Sequence, residues 1–344
     1  MSIEQQAFLN AIGASLGDDG HSHFDDGDAS QSLPDNFITP IPYYGLLAIS
    51  GPETSKFLQG QTTCDLEMVS NTQSCAGAYC TPKGRMISSF HIGRLDPEHY
   101  LLRMQHDIVD TTRDTLAKYI VFSKAEQENA SDLHQVFGLC GEQALKAVEH
   151  TFGQVPSGKW STVNTDQQLV IQLDDEGLVF ECWIPNQLAE LTWQSLCEQL
   201  KPVGSQQWGL LSIQRGEAEV CATTVDTFIP QVLNYQVTGA VSFTKGCYTG
   251  QEVVARMEYR GKLKRRMYRA QLASTGIQPG DAIYTGDKEQ SSGNVVNVAS
   301  LDSNSSEILA VLTNKDVAEN LLFHLENNPA ALELLPLPYT IESD

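Results

Sequence analysis

The sequence predicts an α+β protein of two or three domains that closes in a small antiparallel β-barrel. Three observations carry this reading. The chain has 344 residues, beyond the size at which a single hydrophobic core keeps growing. As far as residue 260, strand-like alternation is interleaved with segments of helical spacing. After Lys262 the pattern changes to short strands separated by turns. Apolar residues make up 41 % of the chain, enough to fill these cores.

The elements follow in order. Residues 1–40 are expected as a mobile acidic segment, because 14–40 are rich in Asp, Gly and Ser with few apolar anchors. Its His21 and His23 lie among acids, but floppy ligands bind metal weakly, so no metal site is expected. Leu46 to Ile49 suit a strand. Ser50, Pro52 and Glu53 read as a capping box with a first-turn proline, followed by a helix through Phe57 and Leu58. Two strands are expected on either side of a Pro82-Lys83-Gly84 turn, and a third in His99–Met104. Ile108, Leu116, Tyr119 and Ile120 keep helical spacing. A second α/β unit contains "LHQVFGLCG", "EQALKAVEH", "QQLVIQL" and "LVFECWI", then helices through Leu188–Leu200 and Trp208–Ile213. The last quarter reads as the barrel strands "RRMYRAQLA", "DAIYTG", "NVVNVASL" and "EILAVL". The domains expected are 41–130 completed by 205–260, then 131–204, then 261–344.

Composition excludes several classes of function. No run of 18 apolar residues exists, so no membrane helix is expected. The first residues lack the basic start of a signal peptide, and the cytoplasm is the expected location. Eight scattered cysteines include no C-x-x-C pair and no zinc spacing, so reduced thiols are expected. The net charge of −21 disfavours nucleic acid on average. One segment departs from that average. Seven of the chain's 22 cations lie between Arg256 and Arg269, with Glu258 as the one acid among them. Such a cluster in an acidic chain suggests an anion site.

That cluster follows "FTKGCYTGQE", Phe243–Glu252. Gly246 and Gly250 bracket Cys247, Tyr248 and Thr249. Val253, Val254 and Met257 then share a helical face, which places Cys247 about one turn before a helix start. Free N–H groups gather partial positive charge there. With Lys245 two residues away, this setting would lower the pKa of the thiol. A glycine turn at a helix start is also a general anion cradle, though this one lacks the spacing of a Walker loop. The residues alone leave three readings open: an anion site, a reactive thiol, or a tight turn whose cysteine packs.

"KGCYTGQEVVAR", Lys245–Arg256, resembles the signature of the YgfZ-type folate-binding proteins, relatives of the glycine-cleavage T-protein. "FLQGQTTCDL", "KYIVFSK", "FIPQVLNYQ", "GNVVNVA" and "LPLPY" match as well, so the likeness spans about residues 42–340. The resemblance implies a T-protein-like, three-domain cloverleaf around a channel for tetrahydrofolate or a one-carbon derivative. It also implies a role in assembly or repair of iron–sulfur enzymes, and through them in tRNA modification. Expected partners are therefore folate and, transiently, such enzymes or their assembly proteins.

On this resemblance Cys247 is the candidate reactive residue. Lys245, Gly246, Tyr248, Gly250 and Gln251 are candidate cofactor contacts. Arg256, Arg265 and Arg266 would hold the polyanionic tail. Glu181, in "FEC", falls where the T-protein relatives place a pterin-binding glutamate. Arg215, Glu217 and Gln231 would border the channel. One departure stands out. The aminomethyltransferases carry an aspartate in the strand after the first domain's glycine turn, and here that strand reads Gly84-Arg85-Met86-Ile87-Ser88-Ser89. A folate-dependent transferase and a folate-sensing interaction module therefore remain alternatives to the accessory role.

Overall fold

The structure is a computed structural model that describes residues 3–24, 33–286, 290–326 and 328–341. The chain divides into two compact units. One comprises residues 1–59, 65–76 and 90–208; the other comprises 60–64, 77–89 and 209–344.

The first unit opens with helix α1 (Ile3–Ala11) and a hairpin of β1 (Ala14–Leu16) and β2 (Ser22–Phe24). This revises the expectation of an unanchored arm. Phe8 and Leu9 of α1 are buried in the core, and the Phe8 ring stacks on Phe137 at 5.4 Å. A few apolar residues at the right spacing outweigh an acidic average. Residues 25–32 of that segment lie outside the described residues.

Strands β3 (Phe37–Pro40) and β4 (Tyr44–Ser50) follow, then α2 (Thr54–Gln61). The helix forms as expected, but its capping box does not. The Glu53 carboxylate accepts from the Lys124 amide at 2.7 Å, so it ties two segments together across the sheet edge. Next come β5 (Cys75–Cys80), β6 (Met86–Asp96), β7 (His99–Gln105), α3 (Val109–Ile120) and β8 (Glu126–Asn129). These strands form an antiparallel sheet of order β5-β6-β7-β4-β8.

The chain continues through β9 (His134–Cys140), α4 (Glu142–Phe152), β10 (Thr162–Thr165), β11 (Gln168–Gln172), β12 (Val179–Pro185), α5 (Asn186–Cys197) and β13 (Lys201–Pro202). The second sheet has the order β10-β11-β12-β9-β3-β13. Helices α4 and α5 bury Ala144, Val148, Trp193 and Leu196 against Phe137, Leu139, Phe180 and Ile184. Helix α6 (Gln206–Gln214) starts at the end of this unit and carries Trp208. The Trp208 ring lies where a Cβ on Gly138 would stand, 2.2 Å away, so β9 needs glycine at that point.

The second unit holds α7 (Tyr235–Thr238) and α8 (Gln251–Arg260). After them come β14 (Arg265–Leu272), β15 (Ala282–Thr285), β16 (Gly293–Ser300), β17 (Ser306–Thr313), α9 (Asn314–Ala318), β18 (Phe323–Leu325), β19 (Asn328–Ala331) and β20 (Glu333–Leu335). The sheet order is β19-β18-β15-β16-β17-β14-β20. Its two edge strands are consecutive in the chain, so the sheet curls into a nearly closed antiparallel barrel. Ala270, Ile283, Val295, Ile308, Ala310, Leu312 and Phe323 fill it. The mixed α+β content and the terminal barrel agree with the fold class read from the sequence.

Candidate functional site

Two groups of candidate residues stand out, one in each unit. The glycine motif lies in the second. Residues Phe243–Tyr248 form an irregular loop, and α8 begins at Gln251 behind Gly250, whose φ is +86°. Only glycine adopts that conformation without strain. A second constraint acts at the same position. A Cβ on Gly250 would stand 2.6 Å from the Thr81 carbonyl oxygen. Gly84, with φ +72°, lies against Val253 of α8, where a Cβ would meet the Val253 Cβ at 2.9 Å. The paired glycines therefore let the β5–β6 turn pack directly on the first turn of α8. Gln231 is buried and donates from Nε2 to the Val254 carbonyl of that helix at 2.6 Å, so it braces α8.

Cys247 is exposed, while its neighbours Lys245 and Tyr248 are buried. The Lys245 ammonium donates to the carbonyls of Thr62 at 2.8 Å and Cys64 at 2.6 Å. It also lies 5.3 Å from the Tyr248 ring centroid. Expected beside the thiol, this cation instead ties the loop to the backbone of residues 62–64. Thr249 strengthens the same seam through its amide to the Gly60 carbonyl and its hydroxyl to Gln61. The result is an anchored loop that presents Cys247 outward. The space beside Gly246 is open: a Cβ added there would meet no atom within 4 Å.

Burial sets the other thiols apart. It pushes Cys80 and Cys197 up to about 12, and raises Cys182 further with help from the Glu181 charge. Burial, with the nearby Cys80, also raises Tyr248. All eight cysteines are free thiols, and among the described residues no group of three or more His, Cys, Asp or Glu side chains is placed to hold a metal.

The three candidate anion-binding arginines differ in their settings. Arg256 is exposed on α8. Arg265 donates to the Ser291 carbonyl at 2.9 Å within the barrel unit. Arg266 is half-buried on β14 near Tyr268. Arg269 pairs with Glu307, and Arg215 pairs with Glu217 at 2.8 Å. The strand segment Met86–Ser89 is buried and holds no carboxylate. The Ser89 hydroxyl accepts from the Val220 amide at 2.8 Å.

Glu181 belongs to the first unit, on β12 opposite Gly138 of β9 and Ile171 of β11. It is fully buried. Arg103 Nε donates to Oε1 at 2.9 Å, and Trp183 Nε1 donates to the same oxygen at 2.6 Å. Arg103 Nη2 lies 2.9 Å from Oε2 in ion-pair contact, but out of line for a hydrogen bond, which leaves Oε2 with acceptor capacity. The guanidinium stacks over the Tyr44 ring at 3.9 Å and also contacts His91. Burial alone would raise the Glu181 carboxyl, but the Arg103 guanidinium and His91 outweigh it and hold the group down to about 2. Arg103, His91, Tyr44 and Trp183 were not singled out from the sequence. An arginine inside the apolar strand "HYLLRM" is the signal that a buried counter-charge exists.

The fold defines a class. Aminomethyltransferase T of the glycine cleavage system from Bartonella henselae superposes with a TM-score of 0.76 at 15 % identity, covering 98 % of this chain and 97 % of that one. The protein thus has the T-protein fold. No protein-family model matches the sequence. The tRNA-modifying protein YgfZ of Klebsiella pneumoniae is 31 % identical over 319 residues, 91 % of this chain and 96 % of the relative. That of Colwellia psychrerythraea is 33 % identical over 288 residues, 82 % and 87 % respectively. The chain belongs to the YgfZ family.

Proposed function

We propose that the protein is a tetrahydrofolate-binding accessory factor that supports assembly or repair of iron–sulfur enzymes, and thereby tRNA modification, through Cys247. One observation carries the proposal. Cys247 is an exposed thiol on a loop anchored by the buried, hydrogen-bonded Lys245 and the buried Tyr248, whereas Cys80 and Cys182 are sealed. A thiol fixed in place and open to solvent suits reaction with an incoming partner.

The name of the relatives supports the link to tRNA modification, and the fold supports folate. A reduced pterin offers an N–H edge that a carboxylate accepts, which is the chemistry of Glu181; as that group is fully buried against Arg103 and Trp183, it would have to be uncovered to serve. The turn residues Gly246, Tyr248, Gly250 and Gln251, with Lys245 as their anchor, are the motif's own candidate contacts to the cofactor. Arg256, Arg265 and Arg266 would supply charge toward the tail. The partition into 41–130 with 205–260, 131–204 and 261–344 belongs to the same proposal, as does a cytoplasmic setting. Among the described residues no helix is long and apolar enough to cross a membrane.

Titration calorimetry with tetrahydrofolate tests the binding claim. Saturable binding by the wild type, kept in Cys247→Ala, is the expected result; no heat of binding would remove the folate half of the proposal. The fold also favours a second reading, a folate-dependent one-carbon transferase. The absence of a carboxylate at Met86–Ser89 weighs against it. Turnover of methylene-tetrahydrofolate in the presence of an amine acceptor would establish it.

A further inference from the structure

Among the nine residues Arg256–Lys264, four cations are exposed: Arg256, Arg260, Lys262 and Lys264. Among the described residues none of the four makes an ion pair or a side-chain hydrogen bond. Among the described residues many other cations are engaged, as in the pairs Arg103–Glu181, Arg113–Asp110 and Arg215–Glu217, while the partnerless lysines elsewhere are scattered along the chain. The acids on α8 are Glu252 and Glu258, and neither is paired with these cations. Glu258 stands two residues from both Arg256 and Arg260 and so faces away from them. Complementing the dipole at the end of α8 accounts for Arg260, but Lys262 and Lys264 lie beyond the helix.

An exposed aromatic ring belongs to the same stretch of chain. Tyr259 is 69 % exposed and falls three residues after Arg256, so the two share a helical face. Phe243 supports the Tyr259 ring edge-on at 6.3 Å, and Phe243 opens the loop that carries Cys247. The backbone under the patch is fixed. Gly261 N–H closes α8 onto the Met257 carbonyl at 3.2 Å. Asn314 donates from its backbone amide to the Lys264 carbonyl at 2.9 Å and from its side chain to the Leu263 carbonyl at 2.8 Å.

We infer that this face binds the phosphodiester backbone of single-stranded RNA, with Tyr259 as a stacking platform for one base. Unpaired cations flanking an exposed, edge-supported aromatic ring are what a single strand requires: charge for the phosphates and a π-face for a base. An acidic protein surface would need the charges and not the ring. The net charge of −21 argues against attraction over the whole surface, and the patch narrows that sequence-based expectation to the rest of the molecule. Three phosphate contacts, from Arg260, Lys262 and Lys264, predict a salt slope of about −2, so affinity drops roughly 20-fold between 50 and 200 mM salt.

The test uses the full chain and a fluorescein-labelled single-stranded RNA of about 12 nucleotides, read by anisotropy at both salt concentrations. The expected result is saturable binding with that salt dependence. The variant Arg260→Glu/Lys262→Glu/Lys264→Glu should lose it. Tyr259→Ala should weaken it about tenfold with little change in slope, as loss of one stacked base implies. Circular dichroism and tetrahydrofolate calorimetry on the same variants should match wild type, which separates failure of this inference from failure of the folate reading. No binding at 50 mM salt overturns the inference, and so does equal binding by the triple variant. Competition by an oligoglutamate peptide as strong as by unlabelled RNA, with Tyr259→Ala unchanged, would identify an acidic-chain surface and overturn it as well.

Discussion

Replacing Glu181 by Gln removes the counter-charge of an arginine that is 1 % exposed. The drop of the Glu181 carboxyl from its ordinary 4.5 to about 2 corresponds to about 3 kcal/mol of folding stability at neutral pH. Breaking a buried pair from one side costs about 3–5 kcal/mol by comparison with other proteins, so the two routes agree. For a unit of this size, that lowers the midpoint of thermal unfolding by about 10 °C. Arg103→Met should cost a similar amount, because it leaves a buried carboxylate. The double variant Arg103→Met/Glu181→Leu should recover most of the loss, since well-packed apolar pairs replace buried ion pairs at little cost. Thermal and urea unfolding of all four proteins measures the coupling directly. Two single variants each within about 1 kcal/mol of wild type, with additive effects, would refute a sealed and mutually dependent pair.

Further outcomes follow from the same geometry. The stability contributed by Glu181 is complete above pH 4.5 and vanishes as the pH falls toward 2; the stability gap between wild type and Glu181→Gln should close over that window in urea titrations. Gly250→Ala forces a Cβ to within 2.6 Å of the Thr81 oxygen at a φ of +86°, and should cost about 2 kcal/mol or more, read as a lowered urea midpoint. Lys245→Met removes two charge-assisted bonds to the carbonyls of Thr62 and Cys64, and amide exchange in residues 243–249 should accelerate at least tenfold. Under native conditions iodoacetamide should modify Cys247 well before Cys80 or Cys182, a contrast that mass spectrometry of timed samples reads.

Much of the fold was legible because local chemistry and tertiary packing agree. Gly84 and Gly250 mark turns that only glycine fits, and the rhythm of short strands and turns after Lys262 belongs to the barrel. The segment before residue 40 departs from its expectation because the composition of 14–40 does not extend to the residues before it, where Phe8 and Leu9 are buried and anchor the chain. The candidate site was legible as a motif but not as contacts. Spacing put Lys245 beside Cys247, yet chain direction in an irregular loop is set by what lies beneath it, here the Thr62 and Cys64 carbonyls. In the same way Glu181 was found as a single residue. Its partner Arg103 comes from a strand 78 residues away in sequence, a pairing that no local pattern encodes. The capping box at Ser50–Glu53 failed for the same reason: the Lys124 amide, distant in sequence, competes successfully for the carboxylate.

Complementation tests the central claim most directly. In a bacterial strain lacking its own YgfZ-family protein, the level of tRNA modification is measured with this chain supplied as wild type or as Cys247→Ala. The wild type should restore modification and the variant should not, at equal protein abundance; full restoration by Cys247→Ala would show the thiol to be dispensable.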